Sequence, residues 1–309
     1  MVLAHKPHHL QHLNYQLTLK NMILTDFKSS PFPIYNTGNI GNVNYSGTAT
    51  ALYNGYTGTG LNSVPDTSLD TLLNSKWATD NGQILTLVSN SANAQVAGNL
   101  LQSAAEITAF EKLAMTVPTA TPATQGTFAI LVTNGATVLN VNQFAGGYLV
   151  VASGTGIGQT LEIASHQAAA ASANFIVTTV DPITVTLDAT SKVSLVSNPA
   201  KNVIIMPTTP TGVPVGVTLY AMPASVANTY NATYGTLTTA GTPQYGFVVS
   251  HGPVGCLIDS SVTGVCYPLG AKTATAGALG IATLTSSPQI AISMQTLTSA
   301  NVGMVYMQL

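Results

Sequence analysis

The chain has 309 residues, of which only 6% are charged, and its eight basic side chains are all lysines, against about 25% charged residues in an average soluble domain. A net charge of −2 without a single arginine excludes a nucleic-acid surface, because neutralising phosphate takes clustered Lys and Arg. Mean hydropathy is +0.33, yet no run of about 18 apolar residues is free of Gly, Pro or polar breaks, and no sustained set of about ten-residue alternating strands marks a membrane barrel, so no membrane partner is expected.

Met1 to Leu10 carries His and Lys without an apolar core segment, so no signal peptide is expected there. Pro31 and Pro33 stop any helix begun before them. From Ile34 to Gly60 the residues are mainly Gly, Asn, Thr and Tyr, too poor in apolar surface to build a core. An extended N-terminal arm is expected, with Tyr35, Tyr45, Tyr53 and Tyr56 as candidate anchors on a neighbouring subunit. Pro65-Asp66-Thr67 before Leu69, Leu72 and Leu73 predicts a short capped helix ending near Trp77. Asn81-Gly82 reads as a turn and Gln83 to Ser89 as a strand. Ser103 and Glu106 have the spacing of a capping box ahead of Ile107, Phe110 and Leu113.

From Gly126 the pattern is strand after strand. Thr127–Thr133, Gly147–Ala152, Gln159–Ser165, Asn174–Val180, Ile183–Leu187 and Lys192–Val196 follow one another with Gly, Pro, Asn or Asp between them, the spacing of a sandwich or barrel. The proline-rich stretch Pro207 to Pro214 reads as a linker. Beyond it, Val215–Tyr220, Tyr245–His251, Val254–Ile258, Cys266–Leu269, Ala278–Ala282, Gln289–Met294 and Gly303–Gln308 predict a second set of strands. The expected fold is all-β: an arm and short helix over 1–80, a sandwich- or barrel-like domain over 81–198, and a small β module over 199–309. Only Lys201, Asp259 and Lys272 are charged after Lys192. A small module so poor in charge suits burial against other subunits.

Chemistry-bearing patterns are few. The loop Gly154-Thr155-Gly156-Ile157-Gly158 has G-x-G-x-G spacing, but an alternating strand follows it where a dinucleotide site needs a helix N-terminus, and no Walker lysine is present. It is expected to be a hairpin tip, and Ile157 a subunit-contact candidate. His5, His8, His9 and His12 would share one helical face and have metal-ligand spacing, yet no carboxylate or cysteine accompanies them. A docking arm is the expected reading, and no metal or cofactor is expected. His251, Cys256 and Asp259 hold triad residue types without a nucleophile elbow. Glu106 and Glu111 are read as capping and solvated groups. Cys256 and Cys266 have the spacing to pair across a turn; a reduced, buried pair is expected in a chain made inside the cell. No enzyme is expected.

Two blocks carry a family resemblance. Gln83 to Val88 with Val96 to Glu106 is one, and Gln143 to Val151 with Gly154 to Ile163 is the other. Together they resemble virion proteins of tailed bacteriophages. Gly246 to Val249, His251 to Val254, Pro268 to Gly270 and Ala276 to Ala278 resemble the β-tulip-like module of head decoration, or cement, proteins. The resemblance implies a homotrimer that binds between major capsid protein subunits on the outside of the head, and it implies no catalytic residues. A tail, fibre or other head component and a carbohydrate-binding β-sandwich module remain open as alternatives.

Overall fold

The computed structural model describes residues 72–111, 115–119, 123–271, 274–282 and 289–309. Tyr35, Tyr45, Tyr53 and Tyr56, the four N-terminal histidines and most of the helix expected before Trp77 lie outside the described residues. Those described belong to one compact unit, Tyr35–Leu309. The fold is all-β, and the described residues form one closed barrel, one ten-stranded sheet and a two-stranded hairpin.

Alternation builds the barrel. Its strands are β4 (Met115–Thr116), β5 (Ala129–Thr133), β6 (Tyr148–Ser153), β7 (Thr160–His166), β8 (Asn174–Thr179) and β9 (Lys192–Val196), closed in the order β4-β5-β8-β7-β6-β9. All neighbours are antiparallel. Successive side chains of a strand point to opposite faces, so Ile130 and Val132, Leu149 and Val151, Leu161 and Ile163, Phe175 and Val177, and Val193 and Leu195 all turn inward and are buried. Closure leaves the barrel no edge strand to pair with a stranger. One end is plugged by aromatic rings: Phe110 packs on Phe144 at 5.4 Å, Phe144 lies 6.1 Å from the His166 ring, and His166 lies 6.2 Å from Phe175. Phe110 comes from the single-turn helix α1 (Thr108–Glu111). The expected capping box does not form ahead of it; Ser103 Oγ instead accepts the Val213 amide at 3.1 Å.

The sheet contains β1 (Lys76–Ala78), β2 (Ile84–Ser89), β3 (Leu100–Gln102), β10 (Ile204–Ile205), β11 (Pro214–Thr218), β14 (Tyr245–Leu257), β15 (Pro268–Ala271), β16 (Leu279–Ile281), β17 (Ala291–Ser293) and β18 (Val302–Gln308). Its longest member, β14, pairs with β2 through Tyr245–His251 and with β18 through His251–Leu257. Two strands with a break at Gly252-Pro253 are expected from sequence, but the chain runs on as one. The bulge at Ser250 and a φ of +98° at Gly252 absorb the bend. A side chain at Gly252 would approach Gln83 Cα within 2.9 Å. Trp77, expected at the end of a helix, lies in β1 and meets Phe247 edge-on at 5.1 Å.

Composition suggests boundaries at 81 and 199; strand pairing follows a different line. β2 and β3, from before the barrel, pair with β14, β10 and β11, from after it. The barrel strands, 115–196, are thus inserted into the chain of the sheet, and the C-terminal strands share their sheet with residues 76–102. The aromatic end of the barrel is held on the sheet side. Asn198 Nδ2 donates to Gly146 O at 3.0 Å, and Lys201 Nζ faces the carbonyls of Asn142, Gln143 and Ala145 at 3.4–3.5 Å. The turn of the hairpin β12 (Thr229–Tyr230) and β13 (Leu237–Thr239) adds a contact, Val141 N to Gly235 O at 2.9 Å. The glycine loop sits at the opposite end of β6 and β7.

Candidate interaction surface at the barrel mouth

The loop 154–159 is the turn of the β6–β7 hairpin, as expected. Gly154, Gly156 and Gly158 have φ of +80°, +79° and +90°, a region costly for any residue with a Cβ. Ile157 N donates to Gly154 O, Gly158 N to Val151 O and Gln159 N to Gly156 O. Thr155 N is taken by Thr190 Oγ1 at 3.2 Å. Four amides that a phosphate would need are therefore already engaged within the protein. A carboxylate also stands beside the loop: Asp188 accepts from Thr190 N at 2.8 Å, from Thr190 Oγ1 at 2.6 Å and from Thr155 Oγ1 at 2.7 Å. The hydrogen bonds from the Thr190 and Thr155 hydroxyls hold its pKa below the ordinary carboxylate value. An anion would meet a negative charge here.

Two other loops complete the mouth. The segment 180–191 crosses it, burying Ile183 and Leu187. Ile183–Leu187 alternates like a strand in the sequence, but its polar backbone groups find scattered partners. Ile183 N bonds Thr127 O, Gly126 N bonds Ile183 O, and Leu187 exchanges bonds with Ala123. Gln159 is the hub of the mouth. Its Oε1 accepts from Thr184 N, Thr184 Oγ1 and Val185 N at 2.9–3.1 Å, and its Nε2 donates to Val185 O at 3.0 Å. Loops 123–128, 154–159 and 180–191 are thus tied into one rim. From it four large apolar side chains stand out: Ile157 at 67% exposure, Phe128 and Val185 at 48% each, and Val180 at 44%. Single exposed apolar residues are ordinary, but several on one hydrogen-bonded rim make a patch able to exclude water against a partner. Ile157 is visible in the sequence as the apolar residue of a glycine turn. Phe128, Val180 and Val185 read as strand residues, and nothing local marks them as exposed.

The remaining candidates are not brought together. His251 lies on one face of β14, its ring edge-on to Tyr306 at 5.3 Å with Nε2 3.3 Å from the Tyr306 hydroxyl. Five residues on, Cys256 points to the other face and is fully buried. Burial pushes its thiol up to about 12, so no thiolate is available near neutral pH. Asp259 accepts from the Thr275 hydroxyl and from Ser260 Oγ at 3.5 Å. No triad forms from these residues. Glu111 accepts from Ser197 Oγ at 3.3 Å. Among the described residues no group of three or more His, Cys, Asp or Glu is placed to hold a metal ion, and no helix is long and apolar enough to cross a membrane.

The cysteines are both free, and only Cys256 is buried; Cys266 is exposed. The expected buried pair is corrected in that respect: Cys256 is enclosed in an apolar core cluster, whereas Cys266 faces solvent. A maleimide titration of the native chain at pH 7.5 is expected to modify Cys266 within minutes and to reach Cys256 only after denaturation. Two equivalents consumed rapidly by the native chain would contradict this placement.

Comparison with protein-family models, with curated proteins and with solved structures finds no match for the chain.

Proposed function

We propose that this chain is a non-enzymatic virion structural protein of a tailed bacteriophage, a capsid cement protein that works as a trimer between major capsid protein subunits. The observation that carries the reading is the barrel mouth: four exposed apolar side chains on a rim fixed by Gln159, in a protein with 6% charged residues. The motif resemblance to decoration proteins points the same way. The mechanism is burial rather than chemistry. Fully burying a Val, Ile or Phe side chain contributes roughly 1.5–3 kcal/mol, and a rigid rim loses little entropy when it docks. A surface with few ions also avoids the desolvation cost of burying them. Repetition around a shell multiplies the effect, since several weak contacts on one lattice add avidity.

The test is co-sedimentation with shells assembled from the cognate major capsid protein. The paired change Ile157→Asp and Val185→Asp would place two carboxylates into the contact. Because both side chains face solvent, thermal stability is expected to change by no more than about 0.5 kcal/mol, while shell binding weakens by at least about tenfold. Unchanged binding by a folded variant would remove the barrel mouth from the contact. Binding to tails alone would move the chain to another part of the virion.

A further inference from the structure

We infer that His166 is a proton-operated latch, whose neutral ring holds the loop 142–147 in the form that clasps Lys201 and so fixes the barrel to the sheet. This stands independently of the cement reading. The ring sits in the aromatic plug, 3% exposed, between Phe144 and Phe175. Its Nε2 accepts the Phe144 amide at 3.0 Å, and its Nδ1 lies 2.9 Å from Gln167 O. A carbonyl only accepts, so Nδ1 carries the proton and Nε2 the lone pair. The backbone of His166 grips the same loop, its amide donating to Asn142 Oδ1 at 2.9 Å and its carbonyl accepting Asn142 N at 3.2 Å. One residue therefore shapes the segment whose carbonyls at Asn142, Gln143 and Ala145 face the Lys201 ammonium. Lys201 is the only Lys, Asp or Glu between Lys192 and Asp259.

Adding a proton from solvent to Nε2 reverses its role. The new N–H would face the Phe144 N–H, two donors with nothing between them to accept. The imidazolium would also repel Lys201. Other charged groups on the packed elements are few: Glu111 of α1 is engaged with Ser197, Glu162 lies on the outward face of β7, and β8 and the loop 142–147 carry none. Burial lowers the pKa of the ring from its ordinary 6.5, and the field of Lys201 lowers it further, against the raising effect of the Gln167 carbonyl. The sign follows. The closed form binds the proton less readily than the open form, so the ring's full contribution to closure is present above about pH 6.5 and diminishes as pH falls from there through the ring's own lower pKa.

The test is amide hydrogen exchange of the full chain at pH 7.5 and 5.0, corrected for the intrinsic rate, with ¹⁵N shifts of the His166 ring. Protection of the Phe144 amide and of Ala200, Lys201 and Asn202 is expected to be lower at pH 5.0 than at pH 7.5, with the Ile157 and Gln159 amides unaffected. H166Q keeps an acceptor that does not titrate, and its exchange is expected to be independent of pH. K201M should lose protection over 200–202 at both pH values and keep the pH response of Phe144. Equal protection of Phe144 at both pH values in the native chain overturns the latch, as does a pH response that persists in H166Q. If H166Q does not fold, the native chain decides: the loss of Phe144 protection must set in below about pH 6.5 and level off where the His166 ring itself titrates, at a lower pH, and a loss that bears no relation to the ring titration overturns it.

Discussion

Phe144→Ala is expected to destabilise the chain by about 3–5 kcal/mol, the cost of deleting a fully buried aromatic ring that leaves a cavity behind. Phe144 is without solvent exposure, and its ring lies between those of Phe110 and His166. Removing it opens the plugged end of the barrel from inside and takes away packing on both sides. The collapse needed to fill the hole is resisted by the backbone, because the Phe144 amide is fixed to His166 and the Gly147 amide to Phe144 O. Phe144→Leu retains more volume and should lose less. Urea unfolding measures both, and a loss under about 1 kcal/mol for the alanine variant would mean that the ring column is not a supporting element.

The second large effect belongs to the glycine loop. Gly154→Ala is expected to cost more than the roughly 1–2 kcal/mol that a left-handed backbone alone imposes on an alanine, because the added Cβ would collide with the Thr190 carbonyl and approach Ser191 N within 2.7 Å. Gly158 supplies the matched control. Its φ is +90°, and a Cβ there meets nothing within 4 Å. Gly158→Ala should therefore show the conformational cost by itself, and the difference between the two variants measures how tightly the hairpin tip is pressed on the 185–191 segment. Equal losses would show that the rim is looser than the hydrogen bonds of Thr155, Asp188 and Thr190 imply.

Local alternation made much of this fold legible. β7, β8, β9 and β18 fall within a residue or two of their expected bounds because apolar and polar residues alternate where one face is core. The failures have a common cause in distant partners. Ile183–Leu187 alternates as well as any strand, but Gln159, Ala123 and Thr127 claim its backbone. β14 passes through Gly252-Pro253 because β18 supplies a continuous partner over His251–Leu257. The return of β2 and β3 to the C-terminal sheet leaves no local trace, since a strand does not declare which neighbour it will meet. At the mouth, Ile157 was readable because glycines force a turn beneath it. Phe128, Val180 and Val185 required the tertiary structure, because strand-like residues are exposed only when a loop carries them outside. His166 reads as an inward residue of an apolar strand, and only the folded chain brings the Phe144 amide, 22 residues earlier, to its free nitrogen.

A reconstruction of the intact phage particle tests the central claim most directly. The account predicts density for this chain at the three-fold or quasi-three-fold axes of the head, with the rim of Phe128, Ile157, Val180 and Val185 pressed against major capsid protein subunits. Density confined to the tail, or a head-bound chain whose barrel mouth faces solvent, would contradict it.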